Sequence, residues 1–278
     1  MEICWVDTHC HLGESFYKEF GVVSPDCSAV VREAKKAGVK ILVNSGTSPS
    51  SNLEAIKIAE KFSGLLCSIG IHPHETSNLD PQFCSEEVEK NIGMSNKVIS
   101  IGEVGLDYHF EKDEKIKERQ RLIFDALLEV AEKRNFPVVL HCRDAWRDIK
   151  RIVKSKQVKG IFHCFTGSYE EAKWCLDKGF LLGIGGIVTF SNATGLVDVV
   201  KKIGIGNIVL ETDAPWLAPE GYRGKVNSPK FIPIIGEFLS KILGVSIEEV
   251  KKETHENFLS LFKEDNLLKQ RIKMLLGE

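Results

Sequence analysis

Short runs rich in Val, Ile and Leu recur along the 278 residues, and each is followed by a longer segment with helical periodicity and a charged face. The spacing predicts strands at 2–9, 39–45, 65–71, 97–103, 137–142, 159–164, 180–187 and 207–212. Helices are predicted over 28–37, 52–62, 82–92, 114–135, 144–155, 169–178, 195–203, 230–243 and 247–262. The strand runs are continuously apolar rather than alternating, as expected of a parallel sheet covered on both faces by helices. Eight such units in a chain near the usual length of ~250 residues predict an α/β fold of the TIM (β/α)8 type. A doubly wound open sheet would need fewer strands and a glycine-rich phosphate turn after the first one, where this chain has Thr8-His9-Cys10-His11. Gly183, Gly185 and Gly186 cluster in the seventh strand, which close barrel packing explains. Helix starts are marked by Ser51…Glu54, Ser168…Glu171 and Ser246…Glu249, and stops by Gly38, Gly179 and Gly244. One barrel domain is expected over 1–262. A tail helix over 263–278, with Leu267, Leu268, Ile272, Leu275 and Leu276 at helical spacing, is expected to pack on its outside.

Charge narrows the partners. Lys plus Arg number 37 against 39 for Asp plus Glu, so any site for a polyanion must be local rather than a basic field over the whole surface. The first residues, MEICWVDTHC, lack the positive segment and continuous apolar stretch of a signal peptide, and no run approaches the ~20 apolar residues of a membrane span. A cytoplasmic monomer without a membrane partner is expected. The eight cysteines show no CxxC pairs and read as free thiols. Cys10, Cys142 and Cys164 each stand beside a histidine, and strand alternation is expected to turn all three away from the side that the histidines face.

The chemistry collects at strand ends. His9 and His11 are two apart on the first strand, so they share a face with Cα atoms roughly 6.5 Å apart and can reach one metal ion. Taken alone, the pair reads rather as a strand end satisfied by water or carbonyl groups than as a metal site. Other ligand-type residues fall at equivalent places: Glu103 after the fourth strand, His141 at the end of the fifth, His163 at the end of the sixth and Asp213 at the end of the eighth. In a barrel of this type all these ends converge on one face, where active sites are built. Six ligands suit two metals roughly 3.5–4 Å apart, with one carboxylate between them and positions left for water and substrate. Imidazole suits zinc, manganese or iron, and oxygen ligands suit magnesium, so two divalent ions of magnesium, manganese or zinc are expected.

The stretches Asp-Thr-His-Cys-His, Gly-Glu-Val-Gly-Leu-Asp-Tyr, His-Cys-Arg-Asp-Ala, His-Cys-Phe-Thr-Gly and Glu-Thr-Asp-Ala-Pro-Trp-Leu, in this order from Asp7 to Phe262, resemble the signature set of the TatD metal-dependent deoxyribonucleases, within the amidohydrolase-like TIM barrels. The resemblance implies that His9, His11, Glu103 and Asp213 hold one ion and that Glu103, His141 and His163 hold the other. It implies 3′-to-5′ exonucleolytic trimming of DNA, with single strands preferred. Two metals acidify a water and polarise phosphoryl oxygens, while Asp213 accepts the water's proton as general base.

Substrate contacts are expected from Arg143, on the same strand-end loop as His141, from His72 and His74 after the third strand, and from Arg223 and Lys225 after the eighth. Arg143 can alternatively pair with Asp144. Tyr108 and Trp216 can stack on bases or simply pack. His109 and His255 read as surface or helix residues, and Asn257 as part of a C-terminal packing motif. One loop departs from the family pattern, with Val226 and Ser228 where Arg and Glu are usual, which puts substrate contacts on that side in question. Two other readings compete: a barrel hydrolase of a lactone, cyclic amide or phosphotriester, and a metal-stabilised binding scaffold. Many relatives of the first kind bridge their metals with a carboxylated lysine where this chain has Glu103. A purely structural site has no need of Asp213 beside an open metal position.

Overall fold

Eight strands run parallel and pair in sequence order: β1 (Trp5–Cys10), β2 (Val39–Ser45), β3 (Leu65–Ile69), β4 (Val98–Asp107), β5 (Val138–Arg143), β6 (Gly160–Phe162), β7 (Leu181–Ile184) and β8 (Ile208–Leu210). The end of β8 returns to β1, where Asp213 N–H donates to His9 O (2.9 Å) and His11 N–H to Ala214 O (2.7 Å), so the barrel is nearly closed. These coordinates come from a computed structural model that describes residues 2–22, 26–109, 111–262, 270 and 272.

The helices are α1 (Glu14–Tyr17), α2 (Cys27–Lys36), α3 (Pro49–Glu60), α4 (Pro81–Ile92), α5 (Glu114–Arg134), α6 (Trp146–Val153), α7 (Tyr169–Asp177), α8 (Thr194–Ile203), α9 (Ile232–Leu243) and α10 (Ile247–Ser260). They form the outer layer. Every residue of β1, β3, β4, β6 and β8 is buried, as a parallel sheet covered on both faces requires. The long helix α5 illustrates the cover. Asp113 caps its first turn by accepting from Lys115 N–H, Asn135 ends it in the left-handed conformation, and Ile123, Phe124, Leu127 and Leu128 are buried. Burying each of those four side chains contributes roughly 1.5–3 kcal/mol.

Several boundaries differ from the expected ones. α3 starts at Pro49, three residues earlier than expected, with Pro49 suited to the first turn; Ser48 is its cap and Ser51 the reciprocal partner. Glu54 instead accepts from Glu14 N–H at 2.9 Å, tying α3 to α1. Ser168 and Glu171 do form a capping box, and Ser246 accepts from Glu249 N–H. β4 runs on past Glu103 to Asp107 because Gly105, Leu106 and Asp107 keep pairing with β5. The glycines in and just after β7 admit close neighbours: a Cβ on Gly183 would collide with the Glu211 carboxylate, and one on Gly186 with Leu217 O. His255 is no surface residue. It is buried, with Nδ1 3.1 Å from Cys4 O, and joins α10 to the start of β1. Asn257 donates to Ile205 O (2.9 Å) and Ile208 O (2.8 Å), fastening α10 to β8. The tail expected over 263–278 lies outside the described residues, apart from Gln270 and the buried Ile272.

Candidate metal centre

The C-terminal ends of the strands surround a cavity of about 680 Å³. On its β1 side, His9 and His11 converge with Nε2 atoms 3.0 Å apart, while Cys10 between them points into the wall and donates to Val43 O. His11 Nδ1 lies 2.8 Å from Ser45 O, a carbonyl that can only accept, so the ring proton sits on Nδ1 and the Nε2 lone pair faces the cavity. His9 Nδ1 meets Ser45 Oγ at 3.2 Å. Asp213 Oδ1 stands 3.5 Å from His11 Nε2 and 3.7 Å from His9 Nε2. Its position is held by Thr212, whose N–H and hydroxyl donate to the buried Asp7 carboxylate at 3.0 and 2.6 Å.

Glu103 divides this set from a second one. Its Oε2 faces His9 Nε2 (3.3 Å) and His11 Nε2 (3.7 Å). Its Oε1 faces His141 Nδ1 (2.8 Å), His163 Nε2 (2.8 Å) and His72 Nε2 (3.3 Å). On the far side of His141, Nε2 contacts Asp107 Oδ2 at 3.2 Å, so a proton there leaves Nδ1 turned toward Glu103. His72 is arranged the other way round: its Nδ1 accepts from His74 N–H at 3.1 Å, which leaves the proton of the neutral ring on Nε2. His72 therefore offers Glu103 a donor where His141 can offer a lone pair.

The two sides differ in charge. Burial and the neighbouring His163 push His9 down to about 4, so it is neutral. Burial opposes a charge on His163 as well, but the Glu103, Glu211 and Asp213 carboxylates outweigh it and push this imidazole up to about 10. His141 is raised in the same way, against its burial, by Asp107 and Glu103. Burial also opposes ionisation of Glu103, yet the histidines around it hold it well below the usual carboxylate range. Without a metal, protons on His141 and His163 supply the positive charge that the carboxylates demand. Converging imidazole lone pairs, ionised carboxylates and fixed tautomers fit divalent cations. Three groupings place their ligand atoms within 4.8 Å of one another: His9, His11 and Glu103; His9, His163 and Asp213; and His72, Glu103 and His141.

All six expected ligands and His72, His74 and Arg143 line or adjoin this one cavity. Arg223 and Lys225 are not among the residues that line it. The Arg223 guanidinium lies 4.2 Å from the Phe190 ring centre and 3.9 Å from Glu220, and Lys225 reaches over Tyr222. Tyr108 is likewise removed, its hydroxyl donating to Asp148 at 2.9 Å, whereas Trp216 lines the cavity. Asp144 pairs with His109 at 2.7 Å. Cys164 departs from expectation: β6 ends at Phe162 and Cys164 takes a φ of 46°, so strand alternation no longer governs it and it lines the cavity, as half-buried Cys142 also does. Three carboxylates behind the site were not singled out from sequence. Asp107 orients His141 and accepts from His74 Nε2 at 3.1 Å. Glu211, pushed by burial up to about 8, accepts from Cys164 N–H. Asp7, pushed by burial up to about 7, holds Thr212. Each lies within the motif stretches, but only its hydrogen bonds reveal its part.

A family model described as TatD related DNase matches residues 6–263. The chain belongs to the TatD-related DNase family. It is 34% identical over 260 residues to YabD of Bacillus subtilis, named as an uncharacterized metal-dependent hydrolase, covering 92% of this chain and 98% of that protein. To YcfH of Escherichia coli K12, named likewise, it is 31% identical over 271 residues, 96% of this chain and 99% of that one. The crystal structure of the TatD homologue YjjV from Escherichia coli superposes with a TM-score of 0.83 at 27% identity, covering 93% of this chain and 98% of that one. This TatD-family chain is accordingly a metal-dependent hydrolase on a TIM barrel, and the binding-scaffold reading falls away. Among its described residues no helix is long and apolar enough to cross a membrane.

Proposed function

We propose that this TatD-family hydrolase is a two-metal phosphodiesterase that trims single-stranded DNA from its 3′ end. The observation that carries this reading is the Glu103 carboxylate, with one oxygen turned to His9 and His11 and the other to His141 and His163. His9, His11, Glu103 and Asp213 would hold one divalent ion and Glu103, His141 and His163 a second; such a pair supplies positive charge that acidifies an attacking water and neutralises phosphoryl oxygens.

The protein's own groups do the rest. Asp213, on the rim of the β1 set, takes the proton from the water as its oxygen attacks phosphorus; the P–O3′ bond to the remaining strand breaks, the leaving 3′-oxygen takes up a proton to become the new 3′-hydroxyl, and the terminal nucleotide departs with the phosphate on its 5′ position. Burial works against ionisation of Asp213, and the charged His163 imidazole holds its carboxyl below the usual carboxylate range, ready to accept. His72 Nε2–H, Arg143 and the exposed His74 donate to phosphate oxygens from the β3 and β5 side. Asp107 keeps His74 and His141 aimed inward.

The test incubates metal-reconstituted wild type, Asp213→Asn and Glu103→Ala with end-labelled single- and double-stranded DNA and RNA beside lactone and amide panels. Shortening of single strands from the 3′ end, lost in both variants, is the expected result. Lactone turnover with intact DNA, or shortening that survives both substitutions, contradicts it.

A further inference from the structure

Beside the main cavity lies a second of about 370 Å³, over the loops that follow β1 and β2. Phe16, Thr47, Glu75 and Trp216 line both, so the two spaces adjoin. Their shared wall is aromatic. The ring centres of Phe16 and Trp216 are 4.7 and 5.3 Å from that of His11 and 5.8 Å from each other, and the Trp216 indole donates to the Glu19 carboxylate. Serine and threonine hydroxyls form much of the remaining lining.

The electrostatics of this second space are unusual for a nuclease groove. Among the described residues no Lys or Arg lines it, and Glu19 and Glu75 place two exposed carboxylates there. The first turn of α3 borders it but has little to offer an anion: Thr47 and Ser48 N–H donate to Ser51 Oγ at 2.8 and 2.9 Å, and Ser51 N–H donates to Ser48 Oγ at 3.3 Å. Among the described residues the only guanidinium or ammonium group lining the main cavity belongs to Arg143. Arg143 ends β5, which lies opposite β1 in an eight-stranded ring. The site is thus polarised, with a cationic side over β5 and an aromatic, hydroxyl-lined, anionic side over β8, β1 and β2, which Glu75 joins from the loop after β3.

A nucleic-acid strand is polyanionic everywhere except at its terminal nucleoside. We propose that the second cavity is the subsite for that uncharged terminal nucleoside, with the base against Phe16 and Trp216 and the sugar hydroxyl donating to Glu75, and that a phosphate on the same terminus is refused. Base stacking on an aromatic wall needs no particular sequence. A sugar hydroxyl satisfies a carboxylate, whereas a terminal phosphate brings two like charges toward Glu19 and Glu75. The remainder of the strand then leaves past Arg143. This inference rests on the nuclease reading above and sharpens it, because it makes the chemistry of the chain end, rather than length or sequence, the feature selected.

The experiment uses metal-loaded enzyme and one single-stranded DNA sequence carrying a 3′-hydroxyl or a 3′-phosphate, with the 5′ end varied in the same way as a control. A 3′-phosphate is expected to lower kcat/KM at least about fivefold, and Glu75→Gln and Glu19→Gln, both at exposed positions, to narrow the gap. Trp216→Leu is expected to raise KM at least about fivefold for the hydroxyl-ended strand. Equal rates on the two 3′ ends, or a preference for the phosphate, overturn the subsite. If neither strand is shortened at all, the nuclease reading fails and the subsite falls with it.

Discussion

The two sides of the metal pocket use the same ligand types in opposite states. On the β1 side Ser45 O fixes a ring proton of His11 on Nδ1, and His9 is held neutral by its burial. On the β5 and β6 side His141 and His163 sit between carboxylates that draw protons onto them. The first half is ready for a cation as it stands. The second must give up protons before it can ligate, so the two ions should enter with different pH dependences although one carboxylate joins them.

The largest test of that asymmetry is Glu103→Gln, which removes the shared charge and is expected to cost both ions. Activity should fall by about 10³-fold or more, with the metal content of dialysed protein as the second readout. Asp213→Asn removes the proton acceptor and weakens only the β1 side, so a loss within about 10²–10⁴-fold is expected, with the β5-side ion retained. Asp107→Asn acts from behind the other half. Losing the partner of His141 Nε2 should cost about 10–100-fold in affinity for the β5-side ion and leave the β1 side unchanged, which competitive metal titration of the two variants would separate.

The pH dependence of the metal-free protein sharpens the contrast further. His163 has its pKa raised from 6.5 unfolded to about 10 folded, so its contribution to stability is complete below pH 6.5 and disappears as pH rises through about 10. Asp7 and Glu211, raised by burial to about 7 and about 8, act in the same direction because ionising them inside the barrel is unfavourable. Metal-free protein should therefore melt at lower temperature at pH 9 than at pH 6, and the stabilisation on adding metal should grow with pH. A melting temperature that rises over that range would contradict the charge assignment. The smallest expected effect is that of Ser45→Ala, which leaves the carbonyl that holds His11 and removes only the hydroxyl beside His9. Less than about tenfold in metal affinity is expected.

The same contrast explains what could be read without coordinates. The convergence of His9, His11, Glu103, His141, His163 and Asp213 was legible because the β-α period fixes roughly where each strand ends, and in a barrel all ends meet. Asp107 was not, since its role depends on β4 continuing four residues past Glu103, and strand overrun leaves no periodic signal. Glu211 and Asp7 look like ordinary members of their motifs until Cys164 N–H and Thr212 are seen donating to them. Cys164 escaped because alternation holds only within a strand, and β6 stops at Phe162. That Arg223 and Lys225 lie against Phe190 and Tyr222 rather than in the cavity lining has a related reason: loop direction is set by such tertiary contacts, which residue order does not disclose.

The account rests on Glu103 serving two ions at once, and metal stoichiometry tests that most directly. Wild-type protein saturated with manganese or zinc and then freed of excess should carry two ions per chain at pH 8, and Glu103→Gln, folded by its circular dichroism, should carry none. One ion per chain in the wild type, or two retained without the Glu103 carboxylate, would contradict it.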